Sequence, residues 1–281
     1  MAKTALATLE SALRDHKLDR TLTTALAPLE RADPSAFVPT GLEALDACLR
    51  SGMPRGHLSE IVGPRSSGRT TLALQLMAAA TREGELVALI DTFDRLDVAS
   101  LAVAGADLSR VLWVRGQAVS KTESAVDPRW VPGEGAVRSV RSSAAEGLVE
   151  RTIDRALKAF NLVLQAGGFG IVALDLADAP RLGLQRIPFT TWLRVQRAVE
   201  GSDTACVLLA PEPVSRSSGG ITLSLTGRTT WSGQSDRSRR VAGSDVDVRV
   251  VSPRRRVDGQ LRVGAAVHED RAPEYIPRAA C

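Results

Sequence analysis

Residues Gly63 to Thr71 read GPRSSGRTT, between the apolar run Leu58-Ser59-Glu60-Ile61-Val62 and the leucine-rich run Leu72-Ala73-Leu74-Gln75-Leu76. A strand, a glycine-bounded loop and a helix in that order turn successive backbone N–H groups inward around an anion, and the helix adds the positive end of its dipole. Gly63, Pro64, Arg65, Ser66, Ser67, Gly68, Arg69, Thr70 and Thr71 are therefore the candidate phosphate-binding residues, with the Thr70 hydroxyl suited to Mg²⁺. In a complete loop of this form a lysine follows the second glycine and reaches the β- and γ-phosphates. Here Arg69 takes its place. A guanidinium is wide and planar where an ammonium is a compact charge, so Arg69 either binds phosphates from a displaced position or fills part of the pocket. The competing reading is a strand-to-helix turn that binds nothing.

Two further carboxylate groups belong to the same chemistry. The apolar run 86–90 ends in Asp91-Thr92-Phe93-Asp94-Arg95-Leu96-Asp97, and strand ends on this side of a parallel sheet face the ligand crevice. Asp97 suits either a nucleotide contact or the N-cap of the helix after it. Far downstream, Phe169-Gly170-Ile171-Val172-Ala173-Leu174 ends in Asp175. A carboxylate ending a buried strand beside a phosphate loop is the second group that holds Mg²⁺ in nucleotide-hydrolysing proteins.

The elements that would position these groups alternate along the chain. Apolar strands at 58–62, 86–90, 111–114, 169–175 and 205–210 are separated by helical patterns, which predicts an α/β fold on a mostly parallel sheet. Thr40 suits the cap of a short helix carrying Leu42, Leu45 and Leu49. Residues 4–29 carry leucines at helical spacing, an N-terminal amphipathic segment (1–32) that must cover its apolar stripe with the chain's own core or with a partner subunit. Residues 115–146 lack periodicity and read as a flexible insertion, with Trp130 as a candidate anchor. Residues 177–188 and 212–220 read as polar loops. Segments near 221–231, 245–252 and 260–267 read as β-structure, with a hairpin turn at Asp258-Gly259, and 268–281 as a frayed tail.

Composition narrows the class. The chain has 281 residues, 44% hydrophobic and 24% charged, with a net charge of +4. Its pI near 9.3 allows nucleic-acid contact without requiring it. No run approaches the roughly 20 apolar residues of a membrane span, and the N-terminus lacks the pattern of a secretory signal, so a cytoplasmic location is expected. The cysteines, Cys48, Cys206 and Cys281, form no CxxC pair, which argues against a zinc site or a disulfide framework.

The run Pro39-Thr40-Gly41-Leu42-Glu43-Ala44-Leu45-Asp46, the stretch Gly52 to Thr71, Arg82-Glu83-Gly84, Ile90-Asp91, Asp175 and Val241 to Val251 together resemble the bacterial RecA recombinase core over residues 33–267. The resemblance implies a RecA-type P-loop fold: a central, mostly parallel twisted sheet with helices on both faces and an antiparallel C-terminal β extension. It implies ATP and Mg²⁺ as ligands, with Asp97 at the adenine. It also implies single-stranded DNA at two loops, through Arg181, Arg186, Arg216, Gly219 and Gly220. Self-association through residues 1–29 follows in the same way.

Departures from that pattern bear on activity. The acidic residue that activates water falls at Phe93, with Asp94 beside it as the candidate substitute, and the γ-phosphate-sensing glutamine falls near Pro211. With Arg69, these departures imply weak or lost ATP binding and hydrolysis. The pattern resembles the ImuA group of RecA-like proteins, which accompany translesion polymerase components in the damage-induced SOS response. Two alternatives stay open: a working short RecA-type DNA-dependent ATPase, and an SOS-type cell-division inhibitor.

Overall fold

Runs of apolar residues with no polar alternation cannot leave one face in water, so they settle in the middle of a sheet covered on both sides. The strands are β1 (Phe37–Val38), β2 (Met53–Pro54), β3 (Leu58–Val62), β4 (Val87–Asp91), β5 (Val111–Arg115), β6 (Ile171–Asp175), β7 (Ala205–Ala210), β8 (Thr222–Ser232), β9 (Arg240–Val251), β10 (Gln260–Ala266) and β11 (Ile276–Ala279). Every residue of β3, β4 and β7 is buried. The helices are α1 (Glu43–Leu49), α2 (Arg69–Arg82), α3 (Val98–Val103), α4 (Gly135–Ala166), α5 (Arg181–Gln185) and α6 (Phe189–Val199). These come from a computed structural model that describes residues 34–49, 51–117, 135–215, 220–233, 235, 237–251, 260–266 and 276–279. The chain divides into residues 1–34 and 35–281, and all of these strands and helices lie in the second unit.

β1 and β2 form a separate antiparallel pair, and the other nine strands form one sheet in the order β11-β10-β9-β8-β3-β7-β6-β4-β5. From β8 through β5 every pairing is parallel. From β8 outward to β11 every pairing is antiparallel. The expected α/β fold with a mostly parallel sheet and an antiparallel extension is the one observed.

Helices cover both faces. On one, Leu72, Leu76 and Met77 of α2 pack with Leu45 and Leu49 of α1 and with Val246, Val248 and Val250 of β9. On the other, Ile153, Leu157 and Phe160 of α4 pack with Trp192, Val195 and Val199 of α6. Trp192 and Phe160 are fully buried, each contributing on the order of 2–3 kcal/mol of apolar burial. Thr40 Oγ1 accepts from Leu42 N at 3.3 Å at the entrance to α1, and Thr40 N donates to Asp46 Oδ1 at 2.7 Å.

Three expectations are corrected. Residues 135–146, read as part of a flexible insertion, are the first turns of α4. Ala, Arg and Glu in that stretch favour a helix intrinsically, whereas apolar periodicity reports only a face that is buried. Residues 181–185, read as loop, form the short helix α5. Within the expected frayed tail 268–281, Ile276–Ala279 is a strand that pairs with β10, because an open sheet edge recruits any extended segment that reaches it. Residues 1–32, 118–134, Trp130 and the Asp258-Gly259 turn lie outside the described residues. Among the described residues no helix is long and apolar enough to cross a membrane.

The antiparallel extension braces the loop between β3 and α2. Gly68, at the N-cap of α2, has φ 90°, and a Cβ there would lie 2.9 Å from Val246 Cγ2 of β9. A Cβ on Gly227 of β8 would lie 2.4 Å from the carbonyl oxygen of Ser66. Backbone has to move to relieve that clash, so Gly227→Ala is expected to destabilise the fold by about 1–3 kcal/mol. Thermal unfolding checks this, and an unchanged midpoint would show that β8 does not press on the loop.

Candidate functional site

The carboxyl ends of β3, β4 and β6 open on one side of the sheet, where the loop 63–68 leads into α2. The N-terminus of that helix carries the exposed hydroxyls of Thr70 and Thr71, and its first backbone N–H groups have no partner inside the helix. Ser66 has φ 61°, a left-handed conformation that non-glycine residues adopt at a cost of about 1–2 kcal/mol. The Ser67 hydroxyl is buried in the loop floor without a hydrogen-bond partner. A helix dipole and an orphaned hydroxyl in a strained turn suit an anion with several oxygens.

A cleft of about 220 Å³ adjoins the loop, lined by Arg65, Ser66, Arg69, Thr70, Asp91, Phe93, Arg95, Asp175, Ala177 and Asp178. Arg69 is buried, 6% exposed, and its Nη1 lies 3.5 Å from the carbonyl oxygen of Ala177. Burial works against its charge, while Asp175 and Asp178 support it. Asp178 receives Arg65 at 3.4 Å and Arg95 at 3.3 Å, which bridges the loop to the segment after β6. Asp175 Oδ1 accepts from Ala177 N at 2.8 Å. Loss of solvation pushes the Asp175 carboxyl up to about 6, with Asp91 and Asp178 adding to the rise and the Ala177 N–H and Arg69 opposing it.

The sequence-selected residues after β4 part company here. Phe93 is buried on the cleft wall. Asp94, the candidate general base, has φ 56° and gives both oxygens to Arg115, at 2.9 Å from Nε and 2.8 Å from Nη2. That hydrogen-bonded pair holds the Asp94 carboxyl below its ordinary value. Asp94 is absent from the cleft lining, so it does not converge with Arg69. Asp97 caps α3, accepting from Ala99 N and Ser100 N and from the Ser100 hydroxyl.

The candidate DNA contacts are engaged with acids. Arg181 pairs with Glu212 at 3.1 Å and Arg186 pairs with Glu150. Arg216 and Gly219 lie outside the described residues, and Gly220 ends the second loop just before β8.

Sequence reasoning missed the structural roles of two groups. Asp91 is 1% exposed and staples the turn after β4. It accepts from Arg95 N at 2.8 Å, Leu96 N at 2.8 Å and Trp113 Nε1 at 3.2 Å. Its signal was local, an aspartate a few residues before the amides it binds. Glu60, buried in β3, accepts from Val214 N at 2.9 Å, Ser215 N at 2.7 Å and the Thr222 hydroxyl at 3.2 Å. A charged residue inside an apolar run was the signal, because burying one requires partners. Ser59 Oγ accepts from Ile221 N at 3.1 Å, so both ends of the segment 214–221 hang on β3.

Strand, glycine-bounded loop and helix at the carboxyl edge of a parallel sheet, with two strand-end aspartates beside them, define an α/β core built on a mostly parallel sheet. Comparison with known proteins narrows it further. Residues 17–127 match the family model of the RecA N-terminal domain. Protein RecA of Chlorobium chlorochromatii (strain CaD3) is 32% identical over 174 residues, 61% of this chain and 43% of that protein. Protein RecA of Clavibacter michiganensis subsp. michiganensis (strain NCPPB 382) is 46% identical over 84 residues, 30% of this chain and 23% of that protein. The matched stretches thus span less than half the length of these relatives. The core of the chain is RecA-like.

Two outcomes follow from the geometry. An acid whose carboxyl is raised in the folded state keeps its proton where the unfolded chain has lost it, so stability falls as pH rises. For Asp175 that fall lies between about pH 4 and pH 6 and is on the order of 1–3 kcal/mol. Asp175→Asn should remove that part of the slope, as read by denaturant unfolding across the window; parallel wild-type and variant profiles would contradict it. Glu60→Ala orphans the buried Ser215 N–H and the part-buried Val214 N–H and should cost about 2–4 kcal/mol. It should also speed proteolysis within 211–221, and an unaltered cleavage rate would show that Glu60 does not hold the segment.

Proposed function

We propose that this chain is a RecA-like accessory protein of DNA repair, of the ImuA-like kind, whose phosphate cradle binds a nucleotide without turning it over. The observation that carries the reading is the exchange of roles after β4. General-base work needs a carboxylate within one hydrogen bond or one water of the nucleophile. In this cleft the wall is Phe93, while the neighbouring Asp94 is committed to Arg115 outside it. Asp91 is engaged by the turn it organises, accepting from Arg95 N, Leu96 N and Trp113 Nε1.

In this reading Gly63 to Thr71 cradle the phosphates of ATP and Asp97 lies on the adenine side. Single-stranded DNA passes the loops carrying Arg181, Arg186, Arg216, Gly219 and Gly220. The protein partners are translesion polymerase components or a RecA-type protein, and residues 1–29 serve self-association. A DNA-bound state exchanges the acid partners of Arg181 and Arg186 for phosphates, which position a strand without reading its sequence.

Phosphate release measured with and without single-stranded DNA tests the reading. Turnover should be no faster than in an Arg69→Ala control, and DNA-stimulated hydrolysis would instead make the chain a working short ATPase. For the DNA contact, Arg181→Ala should weaken binding uniformly across sequences. It should also lower the slope of log affinity against log salt by about one. A salt slope of zero in the wild type would rule out phosphate contact.

A further inference from the structure

Three arginines and three aspartates line the cleft, and two of the aspartates are taken up by the fold around them. Asp91 accepts from Arg95 N and Leu96 N, each at 2.8 Å, and from Trp113 Nε1 at 3.2 Å. Asp175 accepts from Ala177 N at 2.8 Å and has Arg69 beside it. Asp178 differs in bridging two side chains. One of its oxygens lies 3.4 Å from Arg65 Nη2 and the other 3.3 Å from Arg95 Nε. The two guanidiniums come from separate elements, Arg65 from the phosphate loop and Arg95 from the turn after β4, where Asp91 holds its backbone N–H.

These pairs are easily parted. The side chains of Arg65, Arg95 and Asp178 are 68%, 40% and 22% exposed, and ion pairs this open to water contribute little, because water solvates each partner once they separate. A phosphate group offers more charge and more oxygens than a carboxylate, and arginine grips it through two parallel hydrogen bonds. The backbone leading to Asp178 is anchored at Ala177, whose N–H donates to Asp175 and whose carbonyl oxygen lies 3.5 Å from Arg69 Nη1. Exchange therefore asks only the Asp178 side chain to turn away.

We propose that Asp178 is a built-in competitor for the phosphate site: its carboxylate holds Arg65 and Arg95 until a polyphosphate displaces it, and the two arginines then grip the ligand. The inference rests on the reading of the loop as a phosphate site. It assigns Arg95, which lies outside the loop motif, a binding role, and it makes the affinity of the cleft the outcome of a contest between an internal anion and an external one.

Calorimetric titration of the full chain with ATP in MgCl₂ tests this on wild type, Asp178→Asn, Arg95→Gln and Asp94→Asn. Asp178→Asn, which removes the competing charge and keeps the shape, should bind ATP about fivefold more tightly than wild type. Arg95→Gln should bind about fivefold more weakly, because the phosphate pair it loses is stronger than the exposed pair with Asp178. Asp94→Asn removes the same charge one residue from Arg95 but outside the cleft lining, and should change affinity by less than about twofold. An Asp178→Asn affinity equal to or below that of wild type overturns the inference and leaves the phosphate site standing. A gain in Asp94→Asn as large as that in Asp178→Asn overturns it too, since net charge alone then explains the effect. ATP binding by none of these proteins overturns the inference and the phosphate-site reading together. Should Asp178→Asn not fold by circular dichroism, Arg95→Gln decides: weakened binding supports the inference, and unchanged binding overturns it.

Discussion

Parallel pairing sets Asp91 and Asp175 opposite each other at the ends of β4 and β6, and two strand-end carboxylates so placed must be compensated separately. Much of the local structure is the means of compensating them. Asp91 draws the chain after β4 into a turn whose amides it accepts, and the indole of Trp113 reaches it from the edge strand. Asp175 takes the Ala177 amide and the neighbourhood of Arg69. The turn demanded by Asp91 fixes Phe93 on the cleft wall and turns Asp94 toward Arg115. The side chain that looked available for chemistry is directed elsewhere by a neighbour three residues earlier.

The loop from Gly63 to Gly68 is constrained from the opposite side by strands that follow it late in the sequence. β8 passes so close that Gly227 has no room for a side chain against Ser66, and β9 presents Val246 to Gly68. The strand leading into the loop also anchors the segment 214–221, through Glu60 at one end and Ser59 at the other. A shift of β3 along its own axis would therefore strain both the loop and that segment. Interior packing transmits such displacements because it has few voids to absorb them.

The parallel strands were legible because their runs are apolar without interruption, and the glycine-bounded loop because its spacing and its flanking elements are local features. Less of the rest was visible, for one recurring reason. Residues 135–146 are helical without an apolar stripe to announce it, and Ile276–Ala279 is a strand because β10 offers it an edge. Glu60 was visible as an oddity in an apolar run, but its partners lie more than 150 residues away. Asp97 is the opposite case, since the capping alternative could be read from the residues after it and the cap is what forms. Local rules gave the elements, and the long-range hydrogen bonds and ion pairs that decide the chemistry of the cleft were absent from them.

Arg69 joins the two themes, since it belongs to the loop by sequence and to the end of β6 by contact. Its stem leaves α2 at the first turn, and its head is buried where the carboxylates of the sheet need a cation. An arginine keeps its charge under burial that would deprotonate a lysine, so a cation stays beside these carboxylates. A lysine at this position would be free to follow a phosphate, because its single ammonium has no planar fork to satisfy at the strand end. The same residue that keeps the loop cationic thus ties it to the sheet, and the loop's geometry is held by the charges beneath it as well as by the strands behind it.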